Sequence, residues 1–312
     1  MIPLRNPLLL TLTALGLVAP AAQLLAITEA DAANGRALAK RYADTVVSVE
    51  LVATIKMTVG DRALPPRENR MDVNGTVIAP SGLTVTVLSL VDPHGAMEAM
   101  RAAQGAGGQK IEIGETEFKD VKLRLANNTE VPSVIVLKDP DLNLVFVAPL
   151  LDAAAKPRTF PCISLDKAAA AEVLGNYYYV TRAHKSLQRV PIVRETTVIG
   201  IVEKPRRMFL MSDQALGVPI IDPAGLVLGI STQYLENGRP TNLVVLSAAD
   251  IAELGAQAAA VKPEEKEEKP DTAEKPPVPA SPASTAAPAP GEAPAAKAPA
   301  APPAVAEPPA KK

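Results

Sequence analysis

The chain predicts an all-β fold, closed as a barrel or packed as a sandwich, with a helix at the end of its ordered part. Three observations predict it. Short β-branched runs recur along the middle of the sequence, Gly, Pro, Asn and Asp bound them, and the second half repeats the texture of the first. Strands alternating with long helical patterns, the mark of βαβ units, do not occur there.

The elements follow in order. Arg5 forms a short basic region, and Leu8 to Val18 is an apolar run followed by small residues at Ala19-Pro20-Ala21-Ala22, with a second processing point after Ala26. The run is too short to span a membrane comfortably, and its flanks suit cleavage. Residues 1–26 are therefore expected to be a secretory signal peptide, with an uncleaved anchor as the alternative. Residues 27–44 hold a short helical segment, roughly Glu29 to Ala43, whose apolar residues recur at helical spacing.

The β-rich body is expected over 45–260. Its strands are read at Val46–Val52, Gly75–Ile78, Leu83–Val87, Val121–Leu125 and Val134–Leu137, then at Tyr177–Val180, Thr197–Val202 and Leu226–Ile230. The Tyr177-Tyr178-Tyr179 run is expected to alternate between core and surface. A helix closes the body: Ser247 suits the N-cap, Asp250 the first turn, and Ile251 and Leu254 an apolar face. From 261 to 312, charged clusters such as Glu264-Glu265-Lys266-Glu267-Glu268-Lys269 give way to Pro and Ala repeats, which hold nearly half of the 31 prolines. Such a segment cannot bury enough apolar surface to offset its ordering entropy, and a disordered tail is expected. A spacer is the plain reading, and a docking or wall-traversing segment the sharper one.

Composition narrows the chemistry. The net charge of −2 gives no reason to expect nucleic acid or an anionic membrane surface as partner. The single cysteine, Cys162, excludes an intramolecular disulfide and reads as a small buried hydrophobe in Phe160-Pro161-Cys162-Ile163. Two isolated histidines and one cysteine supply none of the spacings of a zinc site, and no Gly-rich loop opens a helix, so neither a metal nor a cofactor is expected. Asp139 and Asp141 suit a turn for backbone reasons. Lys204-Pro205-Arg206-Arg207 reads as a solvated loop, with an acidic-partner patch as the alternative.

Three stretches, in order, resemble the trypsin-like domain of HtrA (Deg) proteases. Asn74-Gly75-Thr76-Val77-Ile78, followed by Thr86-Val87-Leu88-Ser89-Leu90-Val91, resembles the strand and segment that carry the family's general base, and Ser89 takes the position of the histidine. Asp139-Pro140-Asp141-Leu142-Asn143-Leu144-Val145 resembles the segment with the orienting aspartate, placing Asn143 there. Gln214-Ala215-Leu216-Gly217-Val218-Pro219-Ile220 resembles the nucleophile turn, with Leu216 at the serine position and Gln214 and Gly217 in an altered oxyanion turn. Asn242 to Ser247 is similar to the strand that leads into the family's closing helix. The resemblance covers about Thr45 to Gln257 and implies two chymotrypsin/trypsin-like six-stranded β-barrels with any site in the cleft between them. In the family a PDZ domain usually follows this point, and here the Pro/Ala tail stands in its place.

On this resemblance the catalytic residues are expected to be absent. Leucine offers no lone pair, serine is no base near neutral pH, and asparagine has no histidine to orient. His94 and His184 read as exposed turn and loop histidines, with a displaced base as the alternative for His94. Ser212 and Ser231 sit on no recognisable elbow. The expected function is that of an exported non-enzyme of the bacterial periplasm or envelope, binding a protein or peptide in the cleft. It is expected to work without cofactor, metal, nucleic acid or membrane insertion after signal cleavage, and an oligomer is compatible with the family. The alternatives are a hydrolase with a relocated site involving Ser89 or His94, and an HtrA-like periplasmic chaperone.

Overall fold

The computed structural model describes residues 28–60, 62–92, 94, 111–114, 116–150, 158–236 and 239–261. The expected signal peptide and the tail from residue 262 lie outside the described residues. Helix α1 (Glu29–Tyr42) leads through a 3-10 turn into β1 (Val46–Ile55), β2 (Met57–Val59), β3 (Arg62–Ala63), β4 (Arg67–Val77), β5 (Thr84–Val87) and the single turn α2 (Leu88–Val91). Then come β6 (Ile111–Ile113), β7 (Glu117–Arg124), β8 (Glu130–Asp139) and β9 (Leu144–Pro149). The second half holds β10 (Asn176–Arg182), β11 (Pro191–Val202), β12 (Met208–Met211), β13 (Pro219–Ile221), β14 (Val227–Glu236), β15 (Arg239–Ser247) and α3 (Ala248–Ala260).

Two closed barrels result, in the strand orders β1-β4-β5-β9-β8-β7 and β10-β11-β12-β15-β14-β13, while β3-β2-β6 form a small separate sheet. Each barrel therefore has six antiparallel strands. This is the trypsin-like pair of barrels that the sequence resemblance implied, closed by the expected helix. Ser247 caps α3 by accepting the N–H of Asp250, and Ile251 and Leu254 are buried.

The barrels share a core, which explains the apolar runs. In β9, Val145 and Val147 enter the interior cluster of the first barrel, whereas Leu144 and Phe146 join the cluster of the second. In β1, Val47, Val49 and Leu51 face inward, and Val46 packs toward the second barrel. A strand covered on both faces needs no polar alternation. The linker laces the barrels together: the Phe160 N–H donates to the Pro80 carbonyl at 3.0 Å, and the Ala169 N–H donates to the Val227 carbonyl at 3.0 Å. Helix α3 packs on β14 and β15 and also reaches β8.

The tyrosine run corrects the sequence reading. Tyr177, Tyr178 and Tyr179 are all buried, because α1 covers the outer face of β10. Tyr178 lies beside Gly35 of α1 and donates to Asp31. On the opposite face, the Tyr177 hydroxyl donates to the Ala170 carbonyl at 2.6 Å and that of Tyr179 to Asp213 Oδ2 at 2.7 Å. Cys162 is half-buried against the first-barrel core rather than fully enclosed, and burial raises its thiol pKa. Among the described residues, no helix is long and apolar enough to cross a membrane.

Candidate functional site

A polar seam joins the barrels. Residues two apart on a strand share a face, and on β4 that face is Asp72, Asn74 and Thr76. Asp72 pairs with Arg189, Asn74 Nδ2 donates to Thr181 Oγ1 at 2.9 Å, and Thr76 Oγ1 donates to the Gly217 carbonyl at 2.8 Å. Gly217 is held tightly there. Its φ is +72°, and a Cβ would stand 2.5 Å from the Asn74 carbonyl oxygen, so a larger residue meets both backbone strain and a clash.

At one end of the seam the structure brings Ser89 and Asn143 into contact. Ser89 lies on α2, whose first N–H groups have no partner within so short a helix. Asn143 supplies partners from across the barrel. Its carbonyl accepts the Leu88 N–H at 3.0 Å, and its Oδ1 accepts the Ser89 N–H at 2.8 Å. Its Nδ2 donates to Ser89 Oγ at 3.0 Å and to the Gln233 carbonyl at 2.9 Å. Asn143 is 1% exposed and has a φ of +57°, a left-handed conformation that asparagine tolerates better than most residues. Thr232 Oγ1 donates to the Asn143 carbonyl at 3.2 Å, completing a junction between β14 and the turn before β9.

The turn holding Gln214, Leu216 and Gly217 is fastened by Ser231. The Gly217 N–H donates to the Ser231 carbonyl at 2.9 Å, and the Ser231 N–H donates to the Val218 carbonyl at 3.0 Å. Ser231 Oγ donates to the Ala215 carbonyl and accepts the Val218 N–H at 3.2 Å. Among the described residues, no acceptor takes the backbone N–H of Gln214 or Leu216. Both terminal amide atoms of Gln214 are enclosed without a partner. A buried amide in that condition is costly.

The other candidates are occupied in local structure. His94 is half-buried rather than exposed as expected: its N–H donates to Asp92 Oδ1 at 3.1 Å, and Asp92 also accepts from Thr116 at 2.7 Å. His184 Nδ1 meets Ser186 Oγ at 2.9 Å and caps the 3-10 turn Lys185–Leu187 in an exposed loop. Ser212 Oγ accepts the Thr197 N–H at 3.0 Å. Asp139 Oδ1 accepts the Leu142 N–H at 2.9 Å, the turn role expected of it. Arg206 of the basic loop pairs with Asp250 of α3 at 2.9 Å. No group of three His, Cys, Asp or Glu suited to a metal ion occurs among the described residues.

The sequence reading missed the edge of β14 and the charged end of the seam. β13 pairs with β14 only as far as Ile230, so beyond Ser231 one edge of β14 has no strand partner and faces Asn143. The signal was weak because Gln233 is an ordinary strand residue. At the seam's other end, Arg124 grips Glu50 through Nε at 2.6 Å and Nη2 at 3.0 Å, and Arg189 adds a contact to the same carboxylate at 2.6 Å. The Arg124 hydrogen bonds, reinforced by the charges of Arg124 and Arg189, hold the Glu50 carboxyl below the usual range.

No family model and no curated protein matches the sequence. Solved structures similar to the chain include the MamO protease domain from Magnetospirillum magneticum in its apo form, at 11% identity and a TM-score of 0.40, over 69% of this chain and 97% of that one. They also include Deg5, at 16% identity and a TM-score of 0.44, over 73% of this chain and 94% of that one. The two-barrel fold is given by the strand order itself.

Proposed function

We propose that the protein is a non-catalytic member of the trypsin-like architecture, exported to the bacterial envelope, which holds an extended peptide or protein segment in the inter-barrel cleft. The observation that carries this reading is the Asn143 amide bound to both Ser89 Oγ and the Gln233 carbonyl. None of these groups takes up a proton near neutral pH, so nothing in the trio can serve as a general base. Leu216 supplies no nucleophile on the facing turn. Losing nucleophile and base together leaves acyl transfer slower by on the order of 10⁶.

Binding is what this arrangement retains. The unpaired edge of β14 offers main-chain groups to an added strand, the mode by which many domains take extended peptides. The backbone N–H groups of Gln214 and Leu216, which no acceptor takes among the described residues, supply further donors beside it. Casein serves as an extended-chain probe. It is expected to stay intact and to slow hydrogen exchange at the Gln233 amide, and a fluorophosphonate probe is expected to leave the protein unlabelled. Labelling or casein hydrolysis that disappears in Ser89→Ala or His94→Ala would establish the relocated-site hydrolase instead.

A further inference from the structure

A cavity of about 480 Å³ lies away from Ser89 and Asn143, over the outer faces of β1, β4 and β7 and under the loop that joins β10 to β11. That volume accommodates a small ligand or a few side chains. Its charge balance is uneven. Five cationic side chains line it (Arg70, Lys122, Arg124, Lys185 and Arg189) against three carboxylates. Two of the carboxylates are already taken, Glu50 by Arg124 and Arg189 and Asp72 by Arg189, while Glu130 engages Lys122 and Arg124. The third, Asp120, makes no ion pair among the described residues and offsets one of the two free cations. Arg70 and Lys185 make no ion pair among the described residues, so their charge is left facing the opening.

The wall supplied by the second barrel is built with unusual local conformations. Gln188 and Arg189 are successive left-handed residues with φ of +57° and +52°, which non-glycine residues adopt at a cost. Arg189 is pinned in that state by bonds from Nε to Ser48 Oγ at 3.0 Å and from Nη2 to Glu50 and Asp72. The buried Arg182 guanidinium donates to the Arg189 carbonyl at 3.1 Å from behind. The same stretch exposes three large apolar side chains, Leu187 at 64%, Val190 at 49% and Ile192 at 36%. The loop thus aims cations into the cavity and exposes apolar groups, held in that shape by the bonds of Arg189 and Arg182.

We infer that this cavity and loop form a second binding site, distinct from the cleft, for an acidic peptide segment. A carboxylate of the segment meets Lys185 and Arg70, and a neighbouring apolar side chain lies on Leu187 and Val190. The pre-formed Glu50–Arg124–Arg189–Asp72 network holds the floor and leaves the rim cations to the ligand. The assignment stands independently of the cleft reading.

The test uses a fluorescein-labelled peptide of alternating Glu and Leu, and its Gln-for-Glu counterpart, titrated with the full chain by fluorescence anisotropy at low and moderate salt. The acidic peptide is expected to bind, and to bind less well as salt rises. Arg70→Glu/Lys185→Glu is expected to weaken it about tenfold, and Leu187→Ser to weaken it further, with the melting temperature unchanged because neither cation is paired in the fold. Equal binding of the Glu and Gln peptides, or undiminished binding by the folded double variant, overturns the assignment.

Discussion

Asn143 shows how one residue type suits a position for several reasons at once. Its backbone is left-handed, its carbonyl and Oδ1 serve the start of α2, and its Nδ2 serves Ser89 and Gln233. Aspartate keeps the backbone tolerance and the acceptor but loses the donor. Asn143→Asp would set a carboxylate against the Gln233 carbonyl oxygen, and the variant is expected to lose about 1–3 kcal/mol of stability at neutral pH. The introduced carboxyl is destabilised when charged, so its folded pKa lies above the unfolded value. Stability is then expected to recover as pH falls through that folded pKa, where the protonated group can donate again. Urea denaturation at pH 7.5 and pH 5 checks both sign and size. The sequence indicated a turn at Asp139 to Asn143, because Asp and Asn are turn formers. It gave no sign of Gln233, which is 90 residues away.

At the scale of elements, the legible strands were those bounded by turn residues and rich in β-branched side chains, such as β1, β5 and β14. Boundaries were less legible. β4 begins at Arg67, well before the apolar stretch at Gly75, because Arg67 to Ile55 is the outer end of its pairing with β1 and its side chains there are exposed. The Tyr177–Tyr179 run could not be assigned by periodicity, since the partner of its outer face is a helix more than 130 residues earlier in the chain. That helix is held by Leu38, which is 4% exposed, and by the Tyr42 hydroxyl donating to the Gly225 carbonyl at 2.6 Å. Leu38→Ala is expected to cost about 2–4 kcal/mol. It should also expose Tyr178, whose hydroxyl pKa is pushed up to about 12 chiefly by burial. A fall in melting temperature with a downward shift of one tyrosine titration is the expected signature, and an unchanged melt would mean that α1 contributes little.

At the scale of the molecule, the two barrels are joined by direct polar bonds along β4 and by the ion pairs at its end. Arg182 anchors this junction, donating from Nε to the Val46 carbonyl and from Nη2 to the Ala43 carbonyl, and its burial lowers its pKa. The pH behaviour follows from Glu50. Its folded pKa lies below the unfolded value of about 4.3, so its stabilising contribution is complete above that value. The contribution is lost as pH falls through the lower folded pKa. Denaturation midpoints measured from pH 7 to pH 3 are expected to drop at the acid end. Glu50→Gln should start lower at pH 7, because it leaves Arg124 and Arg189 less well paired, and should show a shallower acid decline. An equal decline in both proteins would place the acid sensitivity elsewhere.

The sequence by itself determined the β-rich class, the capped helix at Ser247, and the order of the Ser89, Asn143 and Leu216 segments. These are local matters of side-chain branching, turn chemistry and spacing. The tertiary structure decided which groups meet. It placed the Asn143 amide between Ser89 and Gln233, covered the tyrosines with α1, and turned Arg189 onto Glu50 and Asp72. Each of these contacts closes a loop of dozens of residues or more, and a pattern of period two along one strand carries no record of its distant neighbour.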